Sequence, residues 1–289
     1  MCRCAFLTMD DLKGYVSDDV LTITHLHNAG WTVEMVSWRK NYNWSQFDVV
    51  VIRTTWDYQN DPDTFLSVLE SIDSSGTRLE NSLELVRWNM QKTYLHDIAS
   101  KGTCIAPTLW QEQGVDTKKV ESFFDQLDSD EIIIKPIIGA SAGHAFRLHQ
   151  SQSNAKIPVL EKIFERRAYM VQPFMPNIIK EGEFSLIYFE GVLSHTILKT
   201  PRMNDFRVQE EHGGDIRPAT AEPELLHISQ HVIDSLSHIP LYARADFVRT
   251  EQNTFALMEL ELIEPSLYFR MDADSPMRFA HALTTRVCH

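Results

Sequence analysis

Three carboxylates near the end of the chain sit on two short apolar runs. Asp246 lies in Ala243-Arg244-Ala245-Asp246-Phe247-Val248, and Glu259 and Glu261 lie in Leu257-Met258-Glu259-Leu260-Glu261-Leu262. Side chains two apart in a strand point to one face. Glu259 and Glu261 therefore share a face, and Asp246 on an antiparallel neighbour can reach it. Three acids converging inside an apolar sheet repel one another and raise each other's pKa unless a cation sits among them. Magnesium takes oxygen ligands and commonly bridges carboxylates to substrate phosphates. The alternation fits equally well a solvated acidic face with Leu257, Leu260 and Leu262 packed inward.

The complementary charge comes from lysines and arginines. Lys135 ends Ile132-Ile133-Ile134-Lys135-Pro136, where apolar neighbours fix its stem, Lys92 falls on an expected helix upstream, and Lys199 ends another strand. Fixed ammonium groups can orient the oxygens of a triphosphate as point charges. The run Gly139-Ala140-Ser141-Ala142-Gly143-His144 follows Lys135. Small residues there let the backbone approach phosphate and offer its N–H groups, although the spacing is neither a P-loop nor a GxGxxG fingerprint, and a flexible hairpin is the bland alternative. Val171-Gln172-Pro173-Phe174-Met175 is a strand end whose backbone could read an adenine, with Phe174 or Met175 on the ring. Arg202 and Arg207 sit in a polar stretch with Gly213-Gly214. Arginine can stabilise charge on a phosphoryl group in transfer, and a mobile surface loop is the competing reading.

The elements that must hold these groups are of two kinds. An apolar run at 4–8, a helix at 18–29 stopped by Gly30, a strand at 31–38 and the β-branched run Val49-Val50-Val51-Ile52 read as a doubly wound, mostly parallel α/β unit. Arg53-Thr54-Thr55-Trp56-Asp57-Tyr58 follows that last strand, at the edge where such sheets bind ligands. It is equally readable as a turn with Asp61 or Asp63 capping a helix at 64–72. Helical text covers 81–101 and 115–127, with strands at 131–135 and 168–172. A hairpin of 184–189 and 192–199 turns at Glu190-Gly191, and a polar loop spans 201–218. A helix at 223–237 and strands at 242–249 and 254–263 complete an α+β rear half. Domains are expected at 1–85, 86–175 and 176–289, the second with the glycine-rich loop and the third with the metal site.

Bulk composition narrows the classes. The 289 residues, 43% hydrophobic and 23% charged, suit a globular protein with a sizeable core. A net charge of −13 disfavours general nucleic-acid binding and leaves room for a local nucleotide site. No run is long and apolar enough to span a bilayer, and charged residues close to the N-terminus do not read as a signal peptide, so a cytoplasmic protein is expected. Cys2, Cys4, Cys104 and Cys288 are too few and scattered for a disulfide framework, and Cys2 and Cys4 are read as part of the first strand.

Taken in order, these pieces resemble the ATP-grasp superfamily. Arg53-Thr54-Thr55-Trp56-Asp57-Tyr58, Val86-Arg87-Trp88-Asn89, Glu181-Gly182-Glu183-Phe184-Ser185, Ser194-His195 and Asp205-Phe206-Arg207-Val208-Gln209 are similar to the branch holding the D-cycloserine-forming cyclo-ligase, bacterial glutathione synthetases and RimK-like ligases. The resemblance implies an ATP-grasp fold behind an N-terminal Rossmann-like (pre-ATP-grasp) domain, and a carboxylate–amine ligase working through an acyl phosphate. The nitrogen would belong to a second molecule or, in ring closure, to the same one. It implies that Lys92 and Lys135 hold phosphates beneath the loop of Gly139, Ser141 and Gly143. Gln172 and Phe174 would frame adenine, and Glu181 or Glu183 would meet the ribose. Arg207, with Arg202 and Lys199, would serve the transferred phosphate and substrate carboxylate. Asp246, Glu259 and Glu261 would hold Mg²⁺, two ions, with Mn²⁺ as a substitute. Glu261 departs from the family's frequent Asn, and His144 departs within the loop. Partners implied are small-molecule carboxylate and amine substrates, with a homodimer compatible. A phosphotransferase and a non-catalytic nucleotide-binding protein are the competing readings.

Overall fold

The computed structural model describes residues 1–139 and 143–288. Ser141 therefore lies outside the described residues, and the loop over the expected phosphate site is described only at its glycine ends.

The front of the molecule is a parallel sheet of β1 (Cys2–Thr8), β2 (Trp31–Ser37), β3 (Val49–Thr54) and β4 (Arg78–Glu80), ordered β2-β1-β3-β4. Every residue of β3 is buried, as its unbroken β-branched run requires of a strand covered on both faces. α1 (Val20–Asn28) and α2 (Pro62–Ser74) are the crossovers, and Asp61 stands at the N-cap position of α2 without a side-chain cap bond. The winding reverses between β1 and β3, which leaves a crevice at their C-terminal ends.

The single helix expected over 81–101 is in fact two, α3 (Leu83–Asn89) and α4 (Tyr94–Ser100). Lys92 stands in the break rather than on a helix. Its N–H donates to the Ile137 carbonyl at 2.8 Å, so this turn of backbone is tied to the middle of the molecule instead of to its own helix. There, β5 (Leu109–Gln111), β6 (Glu131–Pro136), β7 (Phe146–His149) and β8 (Tyr169–Pro173) form an antiparallel sheet ordered β5-β8-β6-β7. α5 (Thr117–Leu127) and α6 (Ile157–Phe164) cover one face, where Ile132, Ile134 and Val171 meet Val120, Phe124 and Phe164. The alternation of β6 leaves Ile133 and Lys135 on the uncovered face.

After α7 (Asn177–Lys180) comes the rear antiparallel sheet. It comprises β9 (Glu183–Phe189), β10 (Val192–Thr200), β11 (Asp215–Ala219), β12 (Tyr242–Arg249) and β13 (Phe255–Glu261), ordered β11-β10-β9-β12-β13. The β9–β10 hairpin turns at Glu190 and Gly191, with φ of 51° and 74°, the left-handed pair that a two-residue turn between twisted strands demands. β11 arises within the stretch expected as loop; it is a polar edge strand containing Pro218, which periodicity does not reveal. α8 (Pro223–Asp234) packs under this sheet through Leu225 and Val232. The last helix, α9 (Ser275–Cys288), was assigned no element by the sequence reading. Phe279 and Leu283 on it join Phe6 and Val49 of the front sheet to Phe189 and Ile197 of the rear one.

Candidate active site

The chemistry-bearing face of the rear sheet follows from its register. Asp246 pairs with Glu259 and Arg244 with Glu261 across β12 and β13. Ser185 pairs with Asp246 across β9, and Glu183 with Lys199 on β10. One row of charge thus runs across four strands. Lys199 lies 2.5 Å from Glu183 and 3.3 Å from Asp246. Asp246 also accepts from Ser185 Oγ at 2.5 Å and from Arg244 at 3.1 Å, and Arg244 ion-pairs with Glu261. Burial opposes ionisation of Asp246, but Arg244 and Lys199 outweigh it and hold its pKa at about 2. Glu261 is more weakly compensated. Burial, with Glu259 and Asp246 nearby, pushes it up to about 7 despite Arg244.

β13 is an edge strand, and side chains from the broken helix satisfy its free backbone. Asn89 donates to the Leu260 carbonyl at 2.8 Å and accepts from the Leu262 N–H at 2.9 Å, while the Leu260 N–H donates to Tyr94 Oη at 2.9 Å. Glu259 and Glu261 are thereby fixed on a strand that would otherwise lack a second neighbour. Gly182 is required just before β9. Its φ is +119°, and a Cβ there would stand 2.6 Å from the Lys199 carbonyl.

The opposite wall of the cleft is the uncovered face of the middle sheet. Lys92 ion-pairs with Glu259 and donates to the Gly139 carbonyl at 3.0 Å. Burial disfavours its charge, yet Glu259 more than compensates and its pKa is raised. Lys135 behaves differently. Burial lowers its pKa, Glu259 offsets this only in part and Lys92 adds to the lowering, and among the described residues no carboxylate lies within ion-pairing distance of its ammonium. Gln172 and Phe174 line the same cleft. Gln172 donates to Thr108 Oγ1 at 3.0 Å. Arg147 lies 3.7 Å over the Phe174 ring, and the Phe174 N–H is already bound to the Glu131 carbonyl at 2.8 Å, so that backbone donor is not free for a ligand. Arg207 lines the cleft and is braced by Asp205 at 2.9 Å.

Lys92, Lys135, Gly139, Gly143, Gln172, Phe174, Glu183, Arg207, Glu259 and Glu261 therefore face one cleft. The other sequence-derived candidates are placed elsewhere. Asp246, 2% exposed, and Lys199, 1% exposed, lie beneath the cleft wall. Glu181 is held by Arg249 at 2.9 Å, and the Arg202 side chain is 61% exposed, 3.7 Å from Asp205. Among the described residues no three His, Cys, Asp or Glu side chains form a ready-made metal-ligating group; each acid of the row is paired with a lysine or arginine, Lys199 and Arg244 each serving two. The donor chemistry still suits a hard divalent ion: Glu259 and Glu261 present carboxylates to the same cleft as Lys92 and Lys135.

Two groups of the cleft were missed. Arg244 is two residues from Asp246, so the period-2 argument applied to Glu259 and Glu261 would have found it. Glu264 follows the end of β13, outside any periodic run; it is 8% exposed and lines the cleft. Burial first, then Glu261, pushes its pKa well above the ordinary carboxyl range. The run Arg53 to Tyr58, which passes from the end of β3 into a short turn, contributes to the cleft only in part. Arg53 is buried against Asp19 at 2.8 Å, whereas Trp56 and Tyr58 line the cleft beside Tyr15.

This architecture, a parallel front unit and two antiparallel sheets facing each other across a charged cleft, has known relatives. The chain belongs to the ATP-grasp family: the model for the prokaryotic glutathione synthetase ATP-grasp domain matches residues 98–244, and that for the N-terminal domain of D-cycloserine synthetase DcsG matches residues 4–81. It is an ATP-dependent carbon–nitrogen ligase of that family. The cycloserine biosynthesis protein DcsG of Streptomyces lavendulae is 29% identical over 274 residues, 90% of each chain. The crystal structure of D-cycloserine synthetase DcsG superposes with a TM-score of 0.86 at 26% identity, covering 99% of both chains. A RimK domain ATP-grasp protein from Sphaerobacter thermophilus shares the fold, with a TM-score of 0.72 at 14% identity over the full length of both. Among the described residues no helix is long and apolar enough to cross a membrane.

Proposed function

We propose that this ligase activates the carboxylate of a small amino-acid-like substrate as an acyl phosphate and joins it to a nitrogen, with closure of a ring within one molecule as the favoured form. The observation that carries the reading is the convergence of Lys92, Lys135, Arg207, Glu259 and Glu261 on one cleft, with Gln172 and Phe174 at its far wall. The likeness to DcsG supports ring closure as the outcome.

In this reading the substrate carboxylate oxygen attacks the γ-phosphorus of ATP, the bond to the β–γ bridging oxygen breaks, and ADP leaves. The nitrogen then attacks the acyl carbon, the bond from that carbon to the phosphate oxygen breaks, and the departing phosphate takes the proton that the nitrogen loses. Lys135, uncommitted in the free protein, takes phosphate oxygens, and Arg207, held in place by Asp205, faces the transferring group. Glu259 and Glu261, with Asp246 behind them, would hold Mg²⁺, which would neutralise charge on the phosphates, and Lys92 and Arg244 would then share or release those carboxylates. No nucleophilic side chain is needed.

A phosphate-release screen with MgATP, offering amino acids alone and paired with amines, tests this directly. Release that needs a carboxylate plus a nitrogen, in one molecule or two, and that falls by about a hundredfold in Glu259→Gln, is the expected result. Phosphorylated product without free phosphate would instead mark a phosphotransferase, and ATP binding without turnover on any mixture would mark a non-catalytic protein.

A further inference from the structure

Among the described residues, Glu183, Glu259, Glu261 and Glu264 bring carboxyl groups to the rear wall of the cleft, and three of them own a cation. Glu183 has Lys199, Glu259 has Lys92 and Glu261 has Arg244. Glu264 has none within ion-pairing distance among the described residues, and no donor there hydrogen-bonds its carboxyl oxygens. A buried acid without a partner is costly, and this one is not left loose. Its own carbonyl accepts from Trp56 Nε1 at 2.8 Å. The carbonyls on either side are fixed too, that of Ile263 by Tyr242 Oη at 2.9 Å and that of Pro265 by Arg53 at 3.2 Å. These contacts pin the residue to the corner where the end of β13 meets the ligand-binding edge of β3. The corner is completed by Trp56, with the Tyr15 ring tilted against it at a centroid distance of 5.2 Å, and by Tyr58. A rigid corner with aromatic walls and a carboxyl group that, among the described residues, has no cation of its own suits a small cation.

We propose that Glu264 anchors a protonated amine of the substrate, its carboxylate forming an ion pair with the ammonium in the corner between β3 and β13. The inference rests on the ligase reading and narrows it: the substrate carries a primary ammonium besides the carboxylate that is activated. The neighbouring cleft cations are all engaged with other acids or lie on the phosphate side, so the ammonium brings the charge that the corner lacks.

Calorimetric titration of the full chain with MgADP bound separates this from other roles. The probes are D-alanine, D-serine, β-alanine and D-cycloserine, each beside its N-acetyl derivative. In the unaltered protein at least one free amine should bind about ten- to a hundredfold more tightly than its acetylated form. Glu264→Gln should bring the two within about threefold of each other, and Glu264→Asp should keep part of the difference. Glu264→Met serves the same purpose should the amide variant fold poorly; MgADP affinity and melting temperature report folding in each. Preference for the free amine that persists in both neutral variants would overturn the proposal. So would the absence of any such preference in the unaltered protein, or a loss of Mg²⁺ affinity in Glu264→Gln with amine preference intact. Since the titration needs no turnover, its failure is distinct from a failure of phosphate release, which bears on the ligase reading alone.

Discussion

The middle-sheet wall and the corner between the front and rear sheets each hold, among the described residues, one buried ionisable group without an ion-pair partner, a lysine in one and a carboxyl in the other. On the wall, Lys135 projects from β6 with its stem between apolar neighbours and, among the described residues, no carboxylate within ion-pairing distance. In the corner, Glu264 is buried with, among the described residues, no cation within ion-pairing distance. Between them the charges are matched: Lys92 with Glu259, Arg244 with Asp246 and Glu261, Lys199 with Glu183 and Asp246. Matched buried pairs hold the strands in register at a desolvation cost that roughly offsets their attraction, and they say little about what binds. The unmatched groups show which sign of charge each part of the cleft lacks, an anion at Lys135 and a cation at Glu264. The overall charge of −13 carries none of this.

That contrast breaks if paired and unpaired lysines respond alike. Lys199→Met strands Glu183 and leaves Asp246 to Arg244 and Ser185, so unfolding free energy should fall by about 3–5 kcal/mol in a urea titration. Lys135→Met removes no ion pair. Its stability should stay within about 1 kcal/mol of the unaltered protein, while phosphate release falls by about a hundred- to a thousandfold. Similar unfolding midpoints for the two variants would remove the distinction between the structural row and the working cation.

What the sequence disclosed follows the same division. Elements with strong periodicity were legible, β3 and the acidic strands most clearly, and period 2 placed Glu259 and Glu261 on one face as the register bears out. The front sheet is parallel and the rear sheet antiparallel, as the run lengths and turn residues implied. Lys92 was misplaced onto a helix because nothing local marks residues 90–93 as a break; the cause is a tertiary bond to Ile137. β11 was missed because a polar edge strand with proline has no apolar alternation. Glu264 was illegible for a related reason. Its meaning lies in the approach of Trp56 and Arg53, roughly two hundred residues away in the chain, and spacing along the sequence cannot encode that.

The corner also differs from the wall in its expected response to pH. His195 on β10 is buried and hydrogen-bonds the Leu267 carbonyl at 3.0 Å, steadying the segment that follows Glu264. Burial is the main cause of its pKa falling from 6.5 to about 4. Between these values the unfolded chain binds a proton that the folded one refuses, so stability is fully present above about pH 6.5 and declines as pH falls toward 4, by an amount on the order of 3 kcal/mol. Urea midpoints at pH 7.5 and 4.5 should converge in His195→Gln relative to the unaltered protein. Equal slopes in both would assign the acid sensitivity to other groups.

The smallest expected effect sharpens the wall itself. Phe174 presents a ring already covered on one side by Arg147 at 3.7 Å and met edge-on by Phe206 at 6.4 Å, while its N–H is taken by Glu131. If the ring frames adenine, it does so through its remaining apolar surface, since the backbone donor is spent. Phe174→Leu keeps most of the buried volume and removes the flat face. MgADP should then bind about three- to tenfold more weakly, with the free-amine preference at the Glu264 corner untouched. A parallel loss at both places would mean that the two ends of the cleft are linked through the fold rather than independent, and that Phe174 acts by positioning the hinge rather than by touching the nucleotide.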